Sequence, residues 1–405
     1  MLTYSAPPTA NKFAFKPQII DTSLPKRKFY AQTVLADIDN DGQLEFIVGQ
    51  RRGSIFYYKY RGKAYGDAQW TRHLLGRRSP ADVEAKAFDV DGDGWLDLVV
   101  GGAWYQNSRN ENKPWKRHVF DRWLKDVHDI SAADIDGDGR LEVVTMSDKN
   151  NLRWYKIPTD PTQPWIRHDI GKSVHAGLAL GDIDGDGDVD IVRTDIWLEN
   201  VNGDASRWIE HPIGCTSSEP PADFRPPYAY NATRCQIHDM NKDGSMDIVF
   251  TDGEIPGGKI WWMENVEGNG QRWQRHEIYT PDKTQPQRGA FHSLYVGDLD
   301  GDGDLDIFSC EMEAVRGDDS PKFYVWENLD GKATKWREHV VLDINLGGHE
   351  AVLGDVTGNG RLDILTKPWR ANKNNALAGK MYVLFLEGIE SSLSLGDLCH
   401  QNAVI

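Results

Sequence analysis

The sequence predicts an all-β fold, a seven-bladed β-propeller of four-stranded blades, and three observations predict it. A nine-residue acidic turn recurs seven times, beginning at residues 37, 89, 134, 182, 239, 298 and 355. The spacings of 52, 45, 48, 57, 59 and 57 residues are those of a four-stranded blade. Between the turns a second pattern, W-x-x-H before an apolar β-former, recurs six times. A repeat of this kind makes the 405 residues one array, where length alone suggests two or three domains.

The turns carry oxygen side chains at positions 1, 3, 5 and 9, with glycine where the chain bends sharply. They are Asp37, Asp39, Asp41 and Glu45; Asp89, Asp91, Asp93 and Asp97; Asp134, Asp136, Asp138 and Glu142; Asp182, Asp184, Asp186 and Asp190. The remaining three are Asp239, Asn241, Asp243 and Asp247; Asp298, Asp300, Asp302 and Asp306; and Asp355, Asn359 and Asp363. Such spacing suits a hard cation, and up to seven structural calcium ions are expected. An EF-hand also begins D-x-D-x-D-G, but its last ligand stands at position 12 between helices. Here the acid at position 9 leads into β-formers such as Leu98-Val-Val100 and Ile248-Val-Phe250. In the last copy Thr357 and Asn359 replace two carboxylates, so a plain Asp-Gly turn explains it equally well.

The net charge of −16 is largely the acidity of these turns, and seven divalent ions would bring it to about −2. With a pI near 5.2 and no basic stripe, nucleic acid is not an expected partner. No apolar run reaches the length of a membrane span, and no signal peptide opens the chain. Calcium turns point to a secreted protein and the missing signal to the cytoplasm, so the compartment stays open. Oligomeric state is likewise open. Four cysteines make no disulfide framework, although Cys215 and Cys235 bracket one long loop and could pair.

Within a repeat the grammar is constant. In the third, Val127–Ala133 leads into the turn, Leu141–Thr145 leaves it, Leu152–Ile157 follows and Trp165–Ile170 ends the blade. W-x-x-H marks the fourth strand at Trp70, Trp115, Trp165, Trp208, Trp273 and Trp336. The seventh version lies at the other end of the chain, where Phe15-Lys-Pro-Gln18 stands in for it, so a strand near 12–21 closes the ring and covers an open edge. The expected organisation is an arm at 1–11, the propeller at 12–387 and a tail at 388–405.

These D-x-D-G-D-G-x-L-D turns resemble the FG-GAP/VCBS repeats, which form seven-bladed propellers, over about residues 12 to 387. The loops are also similar to those of rhamnogalacturonan lyases and of the propeller domain of fungal aldos-2-ulose dehydratase. That resemblance implies action on sugars, but the dehydratase carries cupin domains for which this chain has no room.

Strand order places all seven turns on one face of the disc and the loops entering each first strand on the other, the mouth. Six of the 12 histidines belong to W-x-x-H and read as structural. His128, His292 and His349 lie six residues before a first turn aspartate and His175 seven before, which sets all four around the mouth; His238 lies beside a turn. Glu84, Lys86 and Arg234 hold equivalent places in other blades. Loops after the second strand add Arg51, Arg52, Trp104, Asp148, Arg193, Glu254, Glu311, Glu313, Lys367, Trp369 and Arg370, a different set in each blade. Insertions at 212–234, 281–290 and 314–322 bring prolines and aromatics suited to stacking on sugar rings, and Asn231-Ala-Thr233 is a glycosylation sequon.

The expected function is a carbon–oxygen lyase, eliminating or dehydrating a uronate-containing glycan or ketosugar. Elimination needs a base, an acid and a stabiliser for the enolate. His128 or His292 is the expected base, with His175 and His349 as partner acid or as ligands of a further divalent metal at the mouth. Glu84, Arg193, Arg234, Glu311, Trp369 and Arg370 are expected to bind the substrate. The alternative is a calcium-dependent propeller that binds carbohydrate or protein without turnover.

Overall fold

The computed structural model describes residues 12–25, 29–62, 69–80, 83–214, 233–281, 288–312 and 320–390. Among the described residues 28 strands form seven four-stranded antiparallel sheets. Blade 1 is β2(Tyr30–Ala36), β3(Glu45–Gln50), β4(Ser54–Tyr60) and β5(Trp70–Arg77). Blades 2 to 6 repeat the order with strands between residues 86 and 119, 127 and 171, 178 and 212, 233 and 279, and 295 and 342. Blade 7 joins β26(His349–Gly354), β27(Asp363–Lys367) and β28(Val383–Ile389) to the N-terminal β1(Ala14–Asp21). The ring therefore closes with the first strand as the outermost strand of the last blade, Gln18 opposite Phe385.

Middle strands such as β11(Glu142–Ser147) and β19(Asp247–Asp252) are buried along their whole length, because a neighbouring blade covers each face. The core is accordingly a set of interblade layers. One layer packs Tyr30, Phe46 and Tyr58 of blade 1 against Leu365, Val383 and Phe385 of blade 7. Another packs Val99 and Trp104 of blade 2 against Ile130, Val143 and Tyr155 of blade 3.

In blades 1 to 5 the outer-strand histidines lie flat on third-strand aromatics, whereas His339 of blade 6 faces Val325. His118 stacks on Trp104, His168 on Trp154, His211 on Trp197 and His276 on Trp262, with ring centroids 3.9–4.5 Å apart. Each is a cross-strand pair that fixes register, which is why the motif recurs. Trp104 thus differs from the expectation that put it at the mouth. It is fully buried between blades 2 and 3, and its Nε1–H donates to the Pro161 carbonyl.

Each acidic turn closes on its first aspartate. Asp134 accepts from the backbone N–H of Asp138 at 3.1 Å and of Gly139 at 2.8 Å, while Gly137 and Gly139 take φ of 71° and 85°. The same bonds recur at Asp355, although its turn lacks two carboxylates. No helix among the described residues is long and apolar enough to cross a membrane. Cys215, Glu313, Asn231 and most of the insertion at 212–234 lie outside the described residues.

Candidate functional site

The first strands line the central channel, and at its mouth four imidazoles gather around two carboxylates. His128 sits near the start of β10(Val127–Ala133) and His349 at the start of β26, while His175 and His292 lie in the segments that lead into blades 4 and 6. Glu254 reaches across from the loop between β19 and β20(Ile260–Asn265). Its Oε1 is 2.9 Å from Nε2 of His292, 3.9 Å from that of His128 and 4.0 Å from that of His175. Glu350 meets the other side of His292, with Oε1 3.0 Å from Nδ1. His292 is 1% exposed, and neither of its ring nitrogens is aligned with these oxygens for a hydrogen bond. The rings of His128 and His175 lie 4.2 Å apart, and those of His292 and His349 stack at 4.0 Å.

Backbone irregularity makes this convergence possible. A bulge between Val127 and Asp129 interrupts β10, and another between His349 and Val352 interrupts β26. Glu350 takes a left-handed φ of 56°, a conformation that costs a non-glycine residue energy and that here swings its carboxylate to the axis. Consecutive residues, His128 with Asp129 and His349 with Glu350, therefore serve one site where a regular strand would send them to opposite faces.

Arg234, on β18(Thr233–His238), forms the floor. Its guanidinium donates to Asp129 at 3.0 Å, to Glu350 at 3.0 Å and to Glu84. Asp129 in turn accepts the N–H groups of Gly177 at 2.6 Å and Leu178 at 2.9 Å, tying blade 3 to blade 4. Behind this floor the channel widens into a cavity of about 250 Å3 lined by Lys86, Ser131, Leu180, Gln236 and their neighbours.

Electrostatics divide the imidazoles. Burial presses all four toward the neutral form. At His128 it is outweighed by Asp129, 2.6 Å from Nδ1, and by Glu254, which push the pKa up to about 10. His292 is also raised, by Glu254 and Glu350. His175 is lowered by burial and by the neighbouring His128, although Asp148 holds its Nδ1 at 2.7 Å. His349 falls well below the usual range, through burial, His292 and the Lys367 ammonium 3.0 Å from its Nδ1. Each close pair thus joins a ring whose pKa is raised to one whose pKa is lowered. These directions favour His175 and His349 as bases, where His128 or His292 was expected.

The other expected residues divide between rim and scaffold. Trp369 stacks on His349 at 4.8 Å and on Phe29 at 5.0 Å, with the Arg51 guanidinium 5.4 Å from its ring, so it borders the site; Arg370 beside it is exposed. Arg193 donates to the Lys172 carbonyl at 2.7 Å and to Asp195 at 3.1 Å, holding the segment before His175. Glu311 accepts from Gly289 N–H, Lys322 N–H and the Tyr324 hydroxyl through its side chain, while its carbonyl accepts from Gly348 N–H next to His349. His238 lies against Gln236 and takes no part. Asp129 and Glu350 escaped the sequence reading; the signal was an acid directly after a mouth histidine, in His128-Asp129 and His349-Glu350.

Two sets at the mouth have metal-ligand composition, each with donor atoms within 4.8 Å of one another: His128, His175 and Glu254, and His292, His349 and Glu350. On the opposite face the turns offer all-oxygen sets, including Asp89, Asp91 and Asp97. Burial, together with the neighbouring carboxylates, pushes the pKa of Asp97, Asp190 and Asp306 up to about 7. A divalent cation would relieve that repulsion, so these residues fit calcium.

The sequence profile of the FG-GAP-like repeat matches residues 13–100, 134–192 and 239–309, more than half of the chain and six of its seven turns. No curated protein sequence matches. Among solved structures the chain is similar to an Agrocybe aegerita lectin studied for specific recognition of non-reducing terminal N-acetylglucosamine. The TM-score is 0.52 at 17% identity, over 79% of this chain and 82% of that one. It is also similar to BBS1N in complex with ARL6DN, soaked with lead, with a TM-score of 0.52 at 9% identity over 95% of this chain and 99% of that one. At such identities the likeness is one of fold. With the profile match, the seven turns and the closed ring of blades in agreement, this chain belongs to the FG-GAP-like repeat family.

Proposed function

We propose that the mouth is the active site of a sugar-active carbon–oxygen lyase, which eliminates or dehydrates a uronate-containing glycan or a ketosugar. The observation that carries the reading is the arrangement of His128 and His175, two adjacent imidazoles of opposite protonation facing Glu254 Oε1. Two titratable groups driven apart by their surroundings are what acid–base chemistry near neutral pH requires. Neutral His175 takes the proton next to the carbonyl or carboxylate, and protonated His128 returns one to the departing oxygen. Asp148 orients His175, and Asp129 keeps the proton on His128. The exposed Phe29, backed by Trp369, and the exposed Trp123 offer apolar faces for stacking on the sugar.

The same donors suit a divalent ion. His128, His175 and Glu254 would hold it, and it would supply Lewis acidity toward a carbonyl oxygen. On the far face calcium is assigned a structural part, staple by staple, with Asp89, Asp91, Asp93 and Asp97 as an example of the residues that would hold it.

A second reading has a specific observation behind it, the likeness of fold to the Agrocybe aegerita lectin. Under it the mouth binds carbohydrate without turnover. A panel of uronate-containing glycans and ketosugars, followed at short ultraviolet wavelength for unsaturated products, separates the two. The lyase reading expects product from at least one saccharide. Binding of a saccharide with no product from any would establish the lectin reading instead.

A further inference from the structure

The seven acidic turns fall into two kinds, and three features change together. The last acid is Glu in blades 1 and 3, Glu45 and Glu142, and Asp in the other five. Beside the turn, the third strand carries Lys in those same two blades, Lys59 and Lys156, and Gln106 in blade 2. In blades 4 to 7 that place holds Glu199, Glu264, Glu327 and Glu387. The residue after it is Asn in blades 2, 4, 5 and 6 and Gly388 in blade 7, but Tyr60 and Ile157 in blades 1 and 3.

The geometry gives this covariation a physical meaning. A short Asp is seated by the backbone at both oxygens: Asp190 accepts from Ile183 N–H at 2.9 Å and from Asn200 N–H at 2.9 Å. The longer Glu45 accepts from Ile38 N–H at 3.0 Å through Oε2 alone. Its Oε1 is buried without a hydrogen bond, 3.5 Å from the Lys59 ammonium. That ammonium, on a side chain 7% exposed, donates to Asp41 at 2.5 Å and to Asp39. In blade 3 Lys156 donates to Asp136 and lies 2.8 Å from Asp138. A calcium ion seeking oxygens at about 2.3–2.6 Å would have to take these carboxylates from a cation tethered to the neighbouring strand.

We propose that the turns of blades 1 and 3 are closed by their own lysine, so that calcium is taken only by the turns that end in Asp. This goes beyond the reading of the mouth and rests on the assignment of calcium to the turns of blades 2, 4, 5 and 6, since in blade 7 Thr357 and Asn359 replace two carboxylates. The Lys-to-Glu exchange shifts the charge beside the turn by two units, which sorts the blades for a divalent ion. Other cations near turns are of a different kind. Lys12 at Asp300 and Arg109 at Asp93 are about half exposed, against 7% for Lys59 and 34% for Lys156, and neither accompanies a Glu at position 9.

Calcium bound per chain, counted by elemental analysis after dialysis against calcium, tests the proposal in the wild type and in Lys59→Met and Lys156→Met. Each replacement is expected to raise the count by one and the double variant by two; an unchanged count in folded variants overturns the proposal. Should loss of a buried ammonium cost the fold, crystals of the wild type grown with calcium decide by anomalous diffraction. Ions are expected in the turns of blades 2, 4, 5 and 6, with none between Asp39 and Asp41 or between Asp136 and Asp138. An ion beside either lysine defeats the lysine closure alone, whereas no ion in any turn defeats the calcium assignment beneath it.

Discussion

Arg234 shows what a single side chain does at the mouth. It is the one described cation that bonds Asp129, Glu84 and Glu350 together, and these carboxylates would otherwise repel one another across the axis. Replacing it by Met leaves buried negative charge uncompensated, and a loss of about 3–5 kcal/mol is expected in urea unfolding. Lysine in its place is expected to recover little, since a point charge cannot span three acceptors as a planar fork does. The four histidines were legible because each stands six or seven residues before a turn aspartate. Their partners were not. Alternation along a strand puts Asp129 and Glu350 on the faces opposite their histidines, and only the bulges in β10 and β26 bring both side chains inward. Glu254 was visible as a mouth residue, but nothing local to its loop tells that it meets three histidines from three other blades.

At the scale of strands and turns, the asparagine that ends a third strand latches one blade to the next. Asn265 donates from Nδ2 to the Ile183 carbonyl of the preceding blade at 2.7 Å, and its Oδ1 accepts from Gly270 N–H at 2.9 Å. Asn200 repeats both bonds toward Ile135 and Ala205, and Asn107 bonds Ile38 in the same way. Asn265→Ala strands a buried carbonyl and a buried N–H. A loss of about 1–3 kcal/mol is the expected result, and a change within a few tenths would remove the latch from the account. The turns and the W-x-x-H strands were plain in the sequence because each repeats one physical task, closing on Asp or stacking on an aromatic. Trp104 was misplaced for a related reason: a mouth loop and the start of a third strand are adjacent in sequence, and only the interblade packing tells which one a tryptophan joins.

For the molecule as a whole, the turns and the mouth divide the work between the two faces of the disc. If the Asp-ending turns hold calcium, a chelator removes a ligand of the native state alone, and each site at a hundredfold excess over Kd contributes about 2.7 kcal/mol. The thermal unfolding midpoint is therefore expected to fall on chelation and to return when calcium is restored; a midpoint indifferent to both would show that the turns stand on their hydrogen bonds alone. The whole fold was readable because closure of the ring has a sequence signature, a fourth-strand pattern missing from the end and present at the start. The mouth rewards a different test, aimed at chemistry instead of stability. Once a saccharide substrate is in hand, kcat and saccharide affinity are measured for the wild type and for His175→Ala. A fall in kcat of about 10²–10⁴-fold with affinity little changed is expected. Unimpaired turnover in the folded variant would contradict the assignment of the mouth as an active site.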